Sequence, residues 1–365
     1  MRAFSGKSLL RRFATFAPLV LSRQQGARAA STSCTGNMKA VIAENGSLNV
    51  IERSIPEINA RQVLIKIHAT ALNRADLLQA KGAYPPPPGE SDVLGLECAG
   101  VVEKVGPECE TSFKPGDRVN ALLGGGGYAE YVNVDERQVM SIPEAQPFHE
   151  AAAIPEVWLT AYQLLHFVAK LKHSDSVLIH AGGSGVGTAA VQLAKAHGCE
   201  NIFVTAGSTE KIELAKSLGA TDGWNYKTED WAEEAQKATT KKGVDVILDC
   251  IGFPYAESNA KAIGMDGRWV LFGLMGGGAK SMPPLFGQIL RKRIQILGST
   301  LRARSVDYKA NLVSEFEEVT KPLFADGTLK PVLDKKHFEG LDSMTEAQAY
   351  MGSNANMGKI VVSLL

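Results

Sequence analysis

The feature that most restricts how this chain can fold is the passage Ser176-Val177-Leu178-Ile179-His180, then Ala181-Gly182-Gly183-Ser184-Gly185-Val186-Gly187, then Thr188-Ala189-Ala190-Val191-Gln192-Leu193-Ala194-Lys195. It reads as an apolar strand, a glycine turn and a helix. Glycine there permits a tight turn and a close approach of backbone to a pyrophosphate, whose charge is stabilised by the free amides and dipole of the helix N-terminus. Gly182 and Gly187 fit the outer positions of Gly-x-Gly-x-x-Gly, but Ser184 takes the middle one. Gly182, Ser184, Gly185, Val186 and Gly187 are therefore the expected phosphate contacts, and a ligand-free structural turn remains the alternative.

Periodicity extends this unit in both directions. From about Ala151 to Gly298, strands at Ser176 to His180, Asn201 to Thr205, Val244 to Asp249, Arg268 to Phe272 and Ile294 to Leu297 alternate with helical stretches. Such alternation predicts a doubly wound parallel sheet of the Rossmann type. From Met38 to about Glu144 short strands and turns dominate, as in Gln62 to Ile67 and Gly100 to Val105, with turns such as Lys114-Pro115-Gly116-Asp117. That segment reads as a partly open β barrel. A last helix and strand, closing at Gly358-Lys359-Ile360-Val361-Val362, are expected to return to it. The expected α/β chain thus has a barrel domain from 38–155 and 299–365, and a nucleotide domain from 156–298. With 365 residues and 45% hydrophobic content there is enough apolar material for two cores.

Residues 1–37 are read apart from the fold. No acid precedes Glu44, while Arg2, Lys7, Arg11, Arg12, Arg23 and Arg28 are interleaved with Leu9, Leu10, Phe13 and Phe16. This is the composition of an organelle transit peptide, with mitochondria favoured by the arginines and a basic tail on a cytoplasmic protein as the alternative. Zero formal net charge argues against nucleic acid as the main partner or attraction to an acidic membrane, and no apolar run approaches the roughly 20 residues a span needs. Cys34, Cys98, Cys109, Cys199 and Cys250 have no paired spacing and read as small buried hydrophobes.

Cofactor choice is expected at the end of the second strand, where NAD enzymes usually place a carboxylate for the ribose 2′-hydroxyl. Here the strand ends Val204-Thr205-Ala206-Gly207-Ser208, and Lys211 follows. Gly207, Ser208 and Lys211 favour a 2′-phosphate and hence NADPH. Glu210 weakens that reading, and an ordinary exposed helix lysine is the alternative for Lys211.

The segments Ala71-Leu72-Asn73-Arg74-Ala75-Asp76, Ala152-Ala153-Ile154-Pro155-Glu156, Trp158-Leu159-Thr160-Ala161 and Asn225-Tyr226-Lys227 resemble the quinone oxidoreductase branch of the medium-chain dehydrogenase/reductase superfamily. The resemblance extends from Met38 to Leu365 and implies that the barrel is GroES-like. Zinc enzymes of the superfamily carry Gly-His-Glu and a catalytic cysteine; Gly95-Leu96-Glu97 and Asn73 stand there instead, so no metal is expected. Tyr84 and Asn73 are implied at the acceptor site, Thr160 near the nicotinamide, Tyr226 near the 2′-phosphate, and Phe272, Gly273, Leu274, Leu301, Arg302 and Asn356 around the groove. The implied acceptor is a quinone or an enone, and a homodimer is expected through the edge strand Ile294 to Gly298. Two further classes stay open: an enoyl-thioester reductase, for which Arg291, Lys292, Arg293, Arg302 and Arg304 offer a basic mouth, and a crystallin-like nucleotide-binding protein. Gly183 replaces an apolar residue of the family's turn, and Leu123-Gly124-Gly125-Gly126-Gly127-Tyr128 is either a lid or a close backbone passage.

Overall fold

The computed structural model describes residues 36–278 and 285–365. The leader, with Cys34, falls almost wholly outside them. Six parallel strands form one sheet in the spatial order Asp222–Asn225, Ile202–Ala206, Val177–His180, Val244–Asp249, Ile263–Leu271, Gln295–Gly298. In chain order that is third, second, first, fourth, fifth and sixth, so the winding reverses beside the first strand, where ligands bind in open sheets of this kind. Val177–His180, Ile202–Ala206 and most of Val244–Asp249 are buried, as strands covered on both faces require.

One strand was not expected. Asp222–Asn225 carries Asp, Gly and Asn, and its single large apolar residue, Trp224, is buried and stacks on Phe203 with ring centroids 5.3 Å apart. Backbone pairing to the second strand, with that one aromatic anchor, outweighs a composition that by itself reads as a turn. The fifth strand also starts earlier than its Arg268 to Phe272 expectation, at Ile263.

The barrel is organised on Gln62–Ala71, which pairs antiparallel with Glu97–Val105, Tyr131–Asp135 and the C-terminal Val361–Ser363. The chain's end is thereby sewn into its first half. A hairpin of Asn37–Glu44 and Ser47–Ser54 turns at Asn45-Gly46, both with positive φ, the backbone that a two-residue hairpin favours. The glycine loop after Leu122 is not a lid. Gly126 and Gly127 donate to the carbonyls of Val93 and Gly95, and a Cβ on Gly127 would lie 2.7 Å from the Glu97 carbonyl oxygen. The segment is a buried backbone passage.

Helix Val306–Ala325, capped by the Ser305 hydroxyl accepting from Tyr308 N, sends Leu312, Val313 and Phe316 into the same core as Ile179, Ala190 and Val204. The two halves of the chain therefore share apolar packing. Cys98, Cys199 and Cys250 are buried as small hydrophobes, and burial pushes the Cys250 thiol up to about 12. No helix among the described residues is long and apolar enough to cross a membrane.

Candidate active site

The glycine turn begins with Ala181 at φ 56, an unusual backbone for a residue with a Cβ, and continues into helix Gly185–Ala196. A Cβ on Gly182 would meet Val204 at 2.6 Å, and one on Gly187 would meet the Ala181 carbonyl oxygen at 2.3 Å, so helix and strand approach as closely as backbone allows. The Ser184 hydroxyl accepts from Gly187 N at 3.0 Å. Gly185 and Val186 occupy the first two helical positions, whose amides have no intrahelical partner and can meet a phosphate. Gly183 has its own explanation: a Cβ there would lie 2.8 Å from the Cβ of Lys211. The same residue's carbonyl accepts from Gly358 N at 2.8 Å, tying the turn to the C-terminal segment.

At the end of the second strand, Gly207 faces Tyr226, whose hydroxyl would be 2.7 Å from any Cβ. Lys211 Nζ donates to the Asn354 carbonyl at 2.7 Å, and burial, then the charge of Lys227, lower its pKa against the pull of Asp334, with a smaller push in the same downward direction from Arg74. Arg74 itself donates to Asn354 Oδ1 at 2.6 Å. Three cations thus converge at the end of the second strand, although only Lys211 was expected there from sequence. Lys227 and Arg74 lie inside the segments that carry the family resemblance, and that was the signal available for them. The exposed Glu210 is held below the usual carboxylate range by its own amide and then by the Ser208 hydroxyl.

Of the other expected groove residues, Leu274 is exposed and Phe272 is half-buried, while Gly273 packs against the Cys250 backbone. Leu301 sends its side chain into the main core, so only its backbone is free to face a ligand. Asn356 Nδ2 donates to the Gly358 carbonyl at 3.0 Å and so shapes the segment that holds the turn.

Beneath the turn lies a closed polar network. His180 is hydrogen-bonded to Thr205 Oγ1 at 2.9 Å and to Asn259 Oδ1 at 2.7 Å. Asn259 Nδ2 and Trp269 Nε1 both donate to Asp249 Oδ2, at 3.0 and 2.9 Å, and Asp249 Oδ1 accepts from the amides of Ile251 and Gly252. The loop below the expected nicotinamide end is thereby fixed from strand to strand.

On the barrel side the polar residues are differently arranged. Asn73 caps helix Arg74–Ala80, and its N–H donates to Asp76 Oδ2 at 2.7 Å. Its side chain donates to Glu97 Oε1 at 2.7 Å and accepts from Lys359 Nζ at 2.6 Å. Lys359 also meets Glu97 Oε1 at 2.5 Å, both side chains being almost wholly buried. Asn73, expected to donate to an acceptor, therefore spends both polar ends on protein partners and positions this ion pair. Asp76 further accepts from the Tyr128 hydroxyl at 2.8 Å; burial pushes its carboxyl up to about 6.

The network continues to Glu156, whose charge acts on Arg302. Glu156 N donates to Glu97 Oε2 at 2.9 Å, while its own Oε2 is buried without a partner. Burial, then the neighbouring Glu97 charge, push the Glu156 carboxyl up to about 8. Arg302 is 3% exposed and donates through Nε to the Gly124 carbonyl at 2.7 Å and through Nη1, weakly, to that of Tyr84 at 3.4 Å; its Nη2 has no partner. Its guanidinium lies 5.5 Å from the centre of the half-buried Tyr84 ring. Lys309, 1% exposed, stands 3.8 Å from Glu90. Sequence reasoning missed Glu156, Glu97, Lys309 and Lys359 as site residues. Among the described residues, no group of three or more His, Cys, Asp or Glu side chains is gathered as a metal-binding set.

The chain matches the family described as Alcohol dehydrogenase GroES-like domain over residues 59–144 and that described as Zinc-binding dehydrogenase over 185–318. It is 30% identical over 325 residues to the synaptic vesicle membrane protein VAT-1 homolog of Danio rerio, covering 86% of this chain and 66% of that protein's length. Among solved structures it is similar to an NAD-dependent alcohol dehydrogenase (32% identity, TM-score 0.77, 90% of this chain and 100% of the other). It is also similar to the CurK enoyl reductase (30%, 0.78, 90% and 99%) and to a quinone oxidoreductase of Pseudomonas syringae pv. Tomato DC3000 (27%, 0.78, 90% and 100%). Two fused halves, a glycine turn at the sheet's switch point and these likenesses lead to one placement: the chain is an oxidoreductase of the medium-chain dehydrogenase/reductase superfamily, and its similarities support a quinone-oxidoreductase-like branch within it.

Proposed function

We propose that the protein is an NADPH-dependent reductase of quinones and related electrophilic carbonyl compounds, working without a metal. The finer likeness is to the tumour-suppressor-inducible quinone oxidoreductases of animals, and the leader points to mitochondria, which imaging of a full-length fusion beside one lacking residues 1–37 would test. What carries the reading is the convergence of Lys211, Lys227 and Arg74 beside Gly207 and Tyr226, where an acidic ribose clamp would otherwise stand. Gly182, Ser184, Gly185, Val186 and Gly187 would hold the pyrophosphate, Lys211 and Tyr226 the 2′-phosphate, and Thr160, Phe272, Gly273, Leu274 and the Leu301 backbone the nicotinamide end. NADPH, when bound, supplies hydride.

The chain supplies the polarity. Burial, then the charge of Glu156, raise the pKa of Tyr84 above its ordinary value, so the phenol stays protonated and can donate to an oxygen gaining charge. At the positions where zinc relatives place a cysteine and a histidine, Asn73 and Leu96 offer no comparable metal ligand. Acceptors that take hydride without a Lewis acid suit such a site; unactivated alcohols do not.

An enoyl-thioester substrate is favoured by the likeness to CurK, but three of the five cations expected to form its phosphate mouth are otherwise placed. Lys292 donates to the carbonyls of Ala260, Lys261 and Ile263, Arg293 pairs with Asp266, and Arg302 is buried. A homodimer through the edge strand Gln295–Gly298 is part of the proposal; Phe286, Leu290 and Ile296 are exposed on and near it, and light scattering tests the assembly. The central experiment is a steady-state screen of NADPH and NADH oxidation against ortho-quinones, para-quinones, enones and enoyl-coenzyme A. NADPH is expected to bind more tightly by about 1.5 to 3 kcal/mol, a gap that Lys211→Ala removes for the most part. Equal affinity for the two nucleotides in the parent, or no turnover with any quinone or enone, rejects the reading.

A further inference from the structure

Helix Pro155–Tyr162 is buried along its length except at two residues, Glu156 and Thr160. They are four apart and share one face, so the residue expected beside the nicotinamide has a carboxyl one turn away. The Glu156 main-chain amide is held by Glu97, which fixes where its side chain starts, yet Oε2 is buried and has no partner in the protein. A buried carboxyl oxygen left unpaired costs stability and calls for an explanation. Arg302 Nη2 is buried and unpaired as well, and Glu156 lies near enough to Arg302, Lys309 and Tyr84 for its charge to act on all three.

We propose that Glu156 is the proton donor of the acceptor chamber. This rests on the reductase reading above. Bound NADPH would supply hydride as its nicotinamide C–H bond breaks and it becomes NADP⁺; the hydride would bond to one carbonyl oxygen of a quinone, so that the ring becomes aromatic and the other oxygen a phenolate. The O–H bond of Glu156 breaks, the proton bonds to that oxygen, and hydroquinone leaves. The charges of the buried Arg302 and Lys309 favour the carboxylate left behind, and water returns its proton before the next turnover. Tyr84 donates a hydrogen bond throughout but keeps its proton.

The surroundings of Glu156 suit this cycle. Glu97 on strand Glu97–Val105 and Asp76 on helix Arg74–Ala80 oppose its ionisation, while Lys359 beside the last strand and Lys309 on helix Val306–Ala325 favour it; Tyr84 and Arg302 close the ring from their loops. Burial exceeds the pull of the lysines, so the carboxyl is mostly neutral at neutral pH and ionises near about 8. A general acid must be protonated to act, so turnover should fall as pH rises through that value.

The test uses Glu156→Gln, which keeps the shape but has no acidic proton, and Glu156→Asp, which keeps the acid on a shorter arm. In the full-length protein without nucleotide, infrared titration should show a protonated-carboxyl band that fades on the alkaline side and is missing from Glu156→Gln; Asp76, titrating lower, is common to both. In steady state Glu156→Gln should lose about 100-fold in kcat and its alkaline limb, with the KM for NADPH unchanged. Glu156→Asp should recover part of the rate together with the limb. A parent that oxidises NADPH with none of the quinones or enones overturns the reductase reading and this role with it. A parent that is active but matched by Glu156→Gln in rate and pH profile, or whose titrating band survives in that variant, overturns the proton role alone.

Discussion

Two buried polar networks flank the cleft, and they are built to opposite standards. Under the glycine turn, His180, Asn259, Asp249 and Trp269 satisfy one another and the amides of Ile251 and Gly252. On the barrel side, Asp76 Oδ1, Glu156 Oε2 and Arg302 Nη2 are buried and unpaired. A satisfied network rigidifies; one with loose ends stores cost at a place where something else is meant to bind. In the proposed reductase the difference would separate the half that holds a cofactor in one position from the half that exchanges protons with a changing acceptor.

The comparison breaks most severely at Lys359. Lys359→Met should cost about 3 to 5 kcal/mol of stability, because Glu97 is left as an uncompensated buried charge. Denaturant midpoints measure this, and the double variant with Glu97→Gln should recover most of the loss; an unchanged midpoint would mean the ion pair is not closed in solution. Tyr84→Phe acts on the same half without unfolding it. The ring remains and the donor goes, so kcat should fall by about 10 to 1,000 fold with NADPH affinity unchanged, less for a readily reduced ortho-quinone than for an enone. If the variant reduces both at the parent rate, Tyr84 is only a wall of the pocket. The smallest effect belongs to the satisfied half. Trp269→Phe removes one donor to Asp249 and should lower stability by about 1 to 2 kcal/mol, leaving the alkaline limb of turnover in place. A shift of that limb would show that the two networks are not separate.

How well each half could be read from the sequence follows the same division. The glycine turn and the strands around it are local features: the residues that shape them are neighbours in the chain, and hydrophobic runs and glycines report them directly. The exception, Asp222–Asn225, is a strand by virtue of its partner rather than its composition. The barrel-side network is not local. Lys359 meets Asn73 across 286 positions, and Arg302 meets Gly124 across 178. Nothing in the immediate sequence of Glu156 distinguishes it from a surface acid at a helix start, and only the packing of Glu97, Lys359 and Lys309 around it changes its chemistry. Asn73 was visible as a site residue through family likeness, but its partners, and so its positioning role, were not.

The hydrogen bond from Gly358 N to the Gly183 carbonyl has a consequence for how the chain can be divided. A Cβ on Gly358 would lie 2.3 Å from the Val332 carbonyl oxygen, and three positions later the chain enters the strand that pairs with Gln62–Ala71. The turn that would grip the nucleotide is therefore braced by a tail belonging to the other half, and the next residue, Lys359, is the counter-ion of Glu97. Residues 156–298 are for this reason not a portable module: cut free, they would keep the sheet and lose one wall of their own phosphate cradle. That backbone contact, with the shared core around Phe316, makes the two halves one cooperative unit at the turn itself.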